Sequence, residues 1–341
     1  MMDFMPPVAL LAGFRFPMVA AILALLVSWA VTPLVCKFAV SKGAIDDPTA
    51  DDRRVHTTPT PRWGGIAIYG GFVLALLTVL PFAYPKAPFP AYLIGMVLLG
   101  AVLVAVGALD DVRPFSAKVQ LVFLLGIGVA IQFFVDPVGK IQIGSLGVPF
   151  AAVPTVLVRF GMASIPLTAI YIFIVTKTTD TIDGLDGLAA GIAAIAAATL
   201  TILAAYGGQP RVAIVAAALA GAAIGFLRHN YNPAKIFMGT GGAYFLGFSL
   251  ACLSVVGAMK TAAAVAVLVP VLAFGVPIFD AAFVIVRRLM HHQPIMQADK
   301  RHMHHTLLGM GLSQRQAVLV LYALAAALSL ALVTVVLQHH G

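Results

Sequence analysis

Apolar stretches of about twenty residues, each closed by Gly, Pro or a charged residue, follow one another along the 341-residue chain and limit its folding more than any other feature. A hydrocarbon layer about 30 Å thick is crossed by about 20 residues of helix. Inside that layer each backbone N–H and C=O has to be satisfied within the chain, so such runs fold as helices. Ten spans can be drawn, at 17–40, 64–84, 91–109, 119–136, 164–181, 186–207, 211–228, 241–258, 262–287 and 315–338. Composition agrees, with 61% hydrophobic and 10% charged residues and a mean hydropathy of +1.01. The expectation is an all-α polytopic membrane protein, with about ten transmembrane helices in one bundle and a single domain over 1–341. A soluble fold is set aside.

Alternating the loops across the bilayer sorts the basic residues. Most of the 21 Lys and Arg fall on one side, among them Lys37, Arg53, Arg54, Lys118, Lys177, Lys235 and Arg301. Arg15, Lys86, Lys140, Arg159, Arg211 and Lys260 fall on the other. By the positive-inside rule the first side is cytoplasmic and both termini lie outside. The net charge of +8 is scattered through short loops and forms no block, which speaks against nucleic acid. Cys36 and Cys252 lie in apolar segments, so neither a disulfide framework nor a zinc spacing is expected. Residues 1–16 hold one basic residue and two prolines without a small-residue cleavage pattern, so no removable signal peptide is read there. On the outer side Lys140 to Phe150 alternates like a small hairpin.

The polar clusters all fall on the basic side. Between Thr176 and Ala190, Asp180, Asp183 and Asp186 recur at every third position. On a helix they would share one face, close enough to share a cation. Like charges so placed repel unless something positive sits between them. A turn rich in Asp and Gly is the plainer alternative, but the apolar segments directly on both sides favour function. Asp110 and Asp111 close the third span, where they could simply mark its end. A second acidic cluster on the same side, with Lys118 nearby, suits phosphates handled with Mg²⁺, a cation that takes oxygen ligands. Zinc is disfavoured. The loop from Arg287 to Arg315 gathers His291, His292, Lys300, Arg301, His302, His304 and His305, suited to phosphates, proton transfer or lipid headgroups. Headgroup or solvent contact is favoured for His291 and His292, and substrate phosphates for His302, His304 and His305. Residues 46–62, with Arg53, Arg54 and His56, would pass by themselves for an ordinary linker.

Taken in order, these clusters resemble the motifs of the polyprenyl-phosphate N-acetylhexosamine-1-phosphate transferases, over residues 40 to 320. They are Arg53-Arg54-Val55-His56 with Pro59-x-Pro61-x-x-Gly64-Gly65, Asp110-Asp111 with Ser116-Ala117-Lys118, and Ile182-Asp183-Gly184-Leu185-Asp186-Gly187. Asn232-Pro233-Ala234-Lys235-Ile236-Phe237-Met238-Gly239 and Ala298-Asp299-Lys300-Arg301-His302-Met303-His304-His305 complete the set. The His-x-His-His form resembles the N-acetylglucosamine branch more than the muramoyl-pentapeptide branch. The resemblance implies transfer of a sugar-1-phosphate from a UDP-N-acetylhexosamine to undecaprenyl or another polyprenyl phosphate, with release of UMP and with Mg²⁺ (Mn²⁺ as alternative). Such a step opens cell-envelope polysaccharide synthesis at the bacterial inner membrane. Carried over by position, Asp110, Asp111, Asp183 and Asp186 are catalytic. Arg53, Arg54, His56, Lys118, Asn232, Lys235, Arg301, His302, His304 and His305 bind substrate. Asp180, Asp183 and Thr240 face the metal. The chemistry suits such a site, because a phosphate monoester with a second pKa of about 6 is already largely dianionic at neutral pH. Charge neutralisation and in-line placement are then the main tasks. The implied partners are the UDP-sugar, the polyprenyl phosphate and the bilayer, without nucleic acid, and a homodimer is compatible.

Two positions depart from the family pattern. Where it has Met-Gly-Asp-x-Gly-Ser, with that Asp a magnesium ligand, this chain reads Met238-Gly239-Thr240-Gly241-Gly242-Ala243. Three residues before Asp183, where the family has Asn, this chain has Asp180. One negative charge is kept but moved, so Asp180 is expected to supply the carboxylate and Thr240 at most a neutral oxygen. Two other classes stay open: a polytopic transporter, and a homologue that binds ligand without turnover.

Overall fold

The computed structural model describes residues 7–48, 58–87, 89–147, 157–258, 275 and 303–339. The order of elements is α1 (Pro7–Ser41), β1 (Ile45–Asp46), β2 (Thr60–Pro61), α2 (Gly64–Ala83), α3 (Ala91–Val112), α4 (Ala117–Ala130), β3 (Ser145–Gly147) and β4 (Leu157–Arg159). Then follow α5 (Ser164–Thr181), α6 (Leu188–Tyr206), α7 (Pro210–Asn230), α8 (Gly239–Ala258), α9 (Met303–Gly309) and α10 (Gln314–His339). Among the described residues 8 helices are long and apolar enough to cross a membrane, which makes this an all-α polytopic membrane protein. Apart from residue 275, the span expected at 262–287 lies outside the described residues, as do Arg53, Arg54, His56, Arg301 and His302.

Three expectations are corrected. The span drawn at 119–136 is shorter, running through α4 and a single 3₁₀ turn, Ile131–Phe133. The hairpin expected within Lys140 to Phe150 instead pairs Ser145–Gly147 with Leu157–Arg159, so the alternating segment supplies one strand and its partner comes later in the chain. Asp180, Asp183 and Asp186 do not share a helix face. Helix α5 ends at Thr181, and the turns from Ile182 to Gly187, where Gly187 takes the left-handed φ of 81°, carry the other two acids.

Helix α8 is the centre of the packing. Its apolar window is 94% buried, against 28% for α1 and for α10, which present Met18, Ile22 and Trp29, or Leu319 and Leu330, outward. Phe245 and Phe248 of α8 are fully enclosed, with Phe245 edge-on to Tyr69 and Phe72 of α2. Lipid tails are as apolar as these side chains, so association depends on how closely the backbones can approach. Small residues permit that approach: an added Cβ at Gly107 of α3 would meet the Gly241 Cα at 2.3 Å, and one at Gly65 of α2 would meet the Gly242 backbone at 2.3 Å. The starts of α2 and α8 and the end of α3 are thereby drawn together. The alternation of the helices puts the start of α1 and the end of α10 on the opposite face.

Candidate active site

The site begins with a strap made by the backbone. Gly64 and Gly65, at the start of α2, donate their N–H groups to the carbonyls of Phe237 and Met238 at 2.9 Å each, and Phe237 N–H donates to Pro61 O at 2.8 Å. Trp63 between them holds a left-handed φ of 82°, a strained state for a residue with a side chain, and its indole Nε1 donates to Ala108 O of α3 at 3.0 Å. This places Arg62 beside two carboxylates. Its guanidinium lies 2.8 Å from Asp46 on β1 and 3.5 Å from Asp111 at the end of α3.

The Asp111 side chain is enclosed, 1% exposed. Its Oδ1 accepts from the Thr240 backbone N–H at 3.0 Å, at the start of α8, where unpaired N–H groups favour an anion. Its Oδ2 is buried without a hydrogen-bond partner. Gly239, at a left-handed φ of 71°, passes so close that an added Cβ would stand 2.2 Å from that oxygen.

The adjacent Asp110 has a different job. It accepts from Phe115 N–H at 2.7 Å and from Gln120 Nε2 at 3.2 and 3.3 Å, so it holds the turn from α3 into α4. Gln120 Oε1 accepts from Lys177 Nζ at 2.8 Å, and Lys177 also pairs with Asp180 at 2.7 Å. A chain of contacts thus runs from α3 through α4 to the last turn of α5. Of the two neighbouring aspartates, Asp110 keeps the plain turn-holding role and Asp111 keeps the free oxygen.

Asp183 and Asp186 divide in the same manner. Asp186 accepts from Asn232 Nδ2 at 2.9 Å and from Ala234 N–H at 3.0 Å, pinning the turn between α7 and α8. Asn232 donates also to Gln314 Oε1 at 2.7 Å, and its carbonyl accepts from Arg315 Nε at 3.1 Å, which brings the start of α10 to the same end. Asp183 is half-buried as a residue with its carboxyl enclosed, and the carboxyl is pushed up to about 8. Burial is the main cause, followed by Asp180 and Asp111, with Arg62 opposing. Asp183, in the turn after α5, and Asp111, in the last turn of α3, are therefore electrostatic neighbours though distant in the chain.

The structure thus brings Asp110, Asp111, Asp180, Asp183, Asp186, Asn232 and Thr240 to one end of the bundle. Lys118 and Lys235 stand exposed there, in the first turn of α4 and in the turn before α8. His304 and His305 lie in α9, whose chain leads directly into α10 at that end. Sequence reasoning passed over Arg62, Asp46, Gln120 and Lys177. The one available signal for Arg62 was its position inside the Pro59 to Gly65 motif.

Among the described residues no three His, Cys, Asp or Glu side chains form a ready metal cage. Mg²⁺ does not require one, since it is held by one or two carboxylates together with waters and substrate phosphates. The crowded Asp183 carboxyl, with Asp180 as its nearest charged neighbour, fits that mode of binding.

Residues 93–258 match the model of the family described as Glycosyl transferase family 4. The chain is 37% identical over 306 residues, 89% of its length and 80% of the relative's, to a probable undecaprenyl-phosphate N-acetylglucosaminyl 1-phosphate transferase of Bacillus subtilis (strain 168). It is 31% identical over 326 residues, 88% of its length and 77% of the relative's, to a decaprenyl-phosphate N-acetylglucosaminephosphotransferase of Mycobacterium tuberculosis. An undecaprenyl-phosphate alpha-N-acetylglucosaminyl 1-phosphate transferase of Escherichia coli (strain K12) is 27% identical over 296 residues, 86% of this chain and 76% of the relative.

Proposed function

The chain belongs to glycosyl transferase family 4, and from that premise we propose that it transfers N-acetylglucosamine-1-phosphate from its UDP-linked form to undecaprenyl or another polyprenyl phosphate, releasing UMP. The observation that carries this reading is the enclosed Asp111, with one oxygen free, set between Arg62 and the start of α8 at the end of the bundle where the other acids gather. A polyprenyl phosphate has its tail in lipid and its headgroup at the membrane surface, so a site at the helix ends meets both a lipid and a water-borne nucleotide. A transporter would set its acids near mid-membrane.

The roles follow from what each group touches. Asp111 offers its free oxygen to the incoming lipid phosphate, to take any remaining proton, while Arg62 and Thr240 N–H hold its other oxygen. Asp110 and Asp186 keep the turns around the site in place. Exposed Lys118 and Lys235 are suited to phosphate oxygens. Asp183, with Asp180 beside it, would hold Mg²⁺, which when bound offsets the repulsion between two phosphate-bearing substrates. Thr240 adds at most a neutral oxygen there, its backbone N–H being committed to Asp111. The positive-inside pattern puts this face in the cytoplasm and both termini outside.

The test is lipid-product formation and UMP release by the purified chain with UDP-N-acetylglucosamine, undecaprenyl phosphate and Mg²⁺, against omission of each and against a panel of other UDP-sugars. Product that depends on all three is expected. Release of UMP without the lipid acceptor, or binding of both substrates with no product, would overturn the reading, the latter in favour of a silent homologue.

A further inference from the structure

Tyr244 stands on α8 one turn beyond Thr240, and at 1% exposure it is among the largest fully buried side chains. Its hydroxyl has no hydrogen-bond partner. Three part-buried tyrosines engage theirs: Tyr69 donates to Val97 O at 3.0 Å, Tyr171 pairs with Ser254 Oγ at 2.7 Å, and Tyr322 donates to Gly187 O at 2.6 Å. The charged neighbours of Tyr244 are Asp180, Asp110 and Asp111, and the Lys177 ammonium stands 5.7 Å from its ring centroid. Its phenol therefore borders the acid cluster from within the bundle, where Asp111 Oδ2 is also buried without a hydrogen-bond partner. A buried polar atom left unpaired is costly and calls for a reason. Phenylalanine would fill the space without that cost, and the chain uses it at the nearby enclosed positions Phe245 and Phe248.

We propose that Tyr244 is a substrate-binding residue whose O–H donates a hydrogen bond to a phosphate oxygen brought to the acid cluster by the lipid acceptor or by the nucleotide donor. The inference rests on the transferase reading above. The cluster repels phosphate, and the cations inside it are already engaged, Lys177 by Asp180 and Gln120 and Arg62 by Asp46 and Asp111. A neutral donor attracts the anion without competing for those carboxylates, and the absence of an internal partner leaves it ready.

The experiment is Tyr244→Phe in the full chain, in nanodiscs, with kcat and KM measured while UDP-N-acetylglucosamine and undecaprenyl phosphate are varied separately. Melting temperature and stabilisation by inorganic pyrophosphate are measured alongside. The variant is expected to lose about tenfold or more in kcat/KM, the size of a hydrogen bond to a charged group. The substrate whose KM rises identifies the phosphate. Melting without ligand should be unchanged or higher, and the pyrophosphate stabilisation smaller. Wild-type kinetics and wild-type pyrophosphate stabilisation in the variant would overturn the proposal. So would a lower melting temperature, which would mean that the hydroxyl holds the bundle and not a ligand. A wild-type chain that makes no lipid product sinks the transferase reading instead, and the pyrophosphate comparison still decides the role of Tyr244.

Discussion

Replacing Gly239 by Ala introduces one carbon at the most constrained point of the site. The position has a φ of 71°, which costs a residue with a side chain about 1–2 kcal/mol. The new Cβ would stand 2.2 Å from Asp111 Oδ2 and 3.1 Å from its carboxyl carbon. Ordinary contact begins at 3.4 Å, so the two must part by about 1 Å. Neither has much room, because Asp111 is 1% exposed and tied to Thr240 N–H at 3.0 Å, while Gly239 is tied to the strap through Met238. A displacement of about 1 Å at a reacting group costs on the order of 100-fold in rate. The assay is the initial rate of UMP release at saturating substrates, with melting temperature as the control for folding. A fall of about 100-fold in kcat with a modest loss of stability is expected. A variant that keeps half the wild-type rate would show that the free Asp111 oxygen is not where the chemistry depends on position.

Arg62→Ala leaves the Asp111 carboxylate without its cation. Since Arg62 is itself 26% exposed, the loss is about 1–3 kcal/mol, or about 5- to 160-fold in kcat, and a rate within twofold of wild type would refute the pairing. Asp180→Asn should weaken Mg²⁺-dependent turnover, and adding Thr240→Asp should restore part of it; full turnover by the single variant rules out the moved charge. Asn232→Asp should destabilise more than Asn232→Ala, because it sets a carboxylate against Asp186 at the 2.9 Å contact, a ranking that thermal melting reads directly.

The helices were legible because a lipid-facing segment has few choices. The stretch 164–181 matches the end points of α5, and Gln314–His339 lies within two residues of the span drawn at 315–338. The contacts that organise the site left no comparable trace. Arg62 and Asp111 are 49 residues apart and Lys177 and Gln120 are 57 apart, so no periodicity links them. The spacing of Asp180, Asp183 and Asp186 suggested a shared helix face, but spacing alone does not say where a helix stops. The helix closes at Ile182, and Gly187, at a φ of 81°, opens the next one. The division of labour within Asp110-Asp111 depends on Gln120 and Thr240, which no reading of the dipeptide could supply.

With α8 enclosed on nearly every side, its position is set by the helices packed around it. A thinner or thicker membrane acts on the outermost helices, α1 and α10, through tilt and mismatch. The Thr240 end of α8, on which Asp111 rests, is thus walled by protein and not by lipid tails.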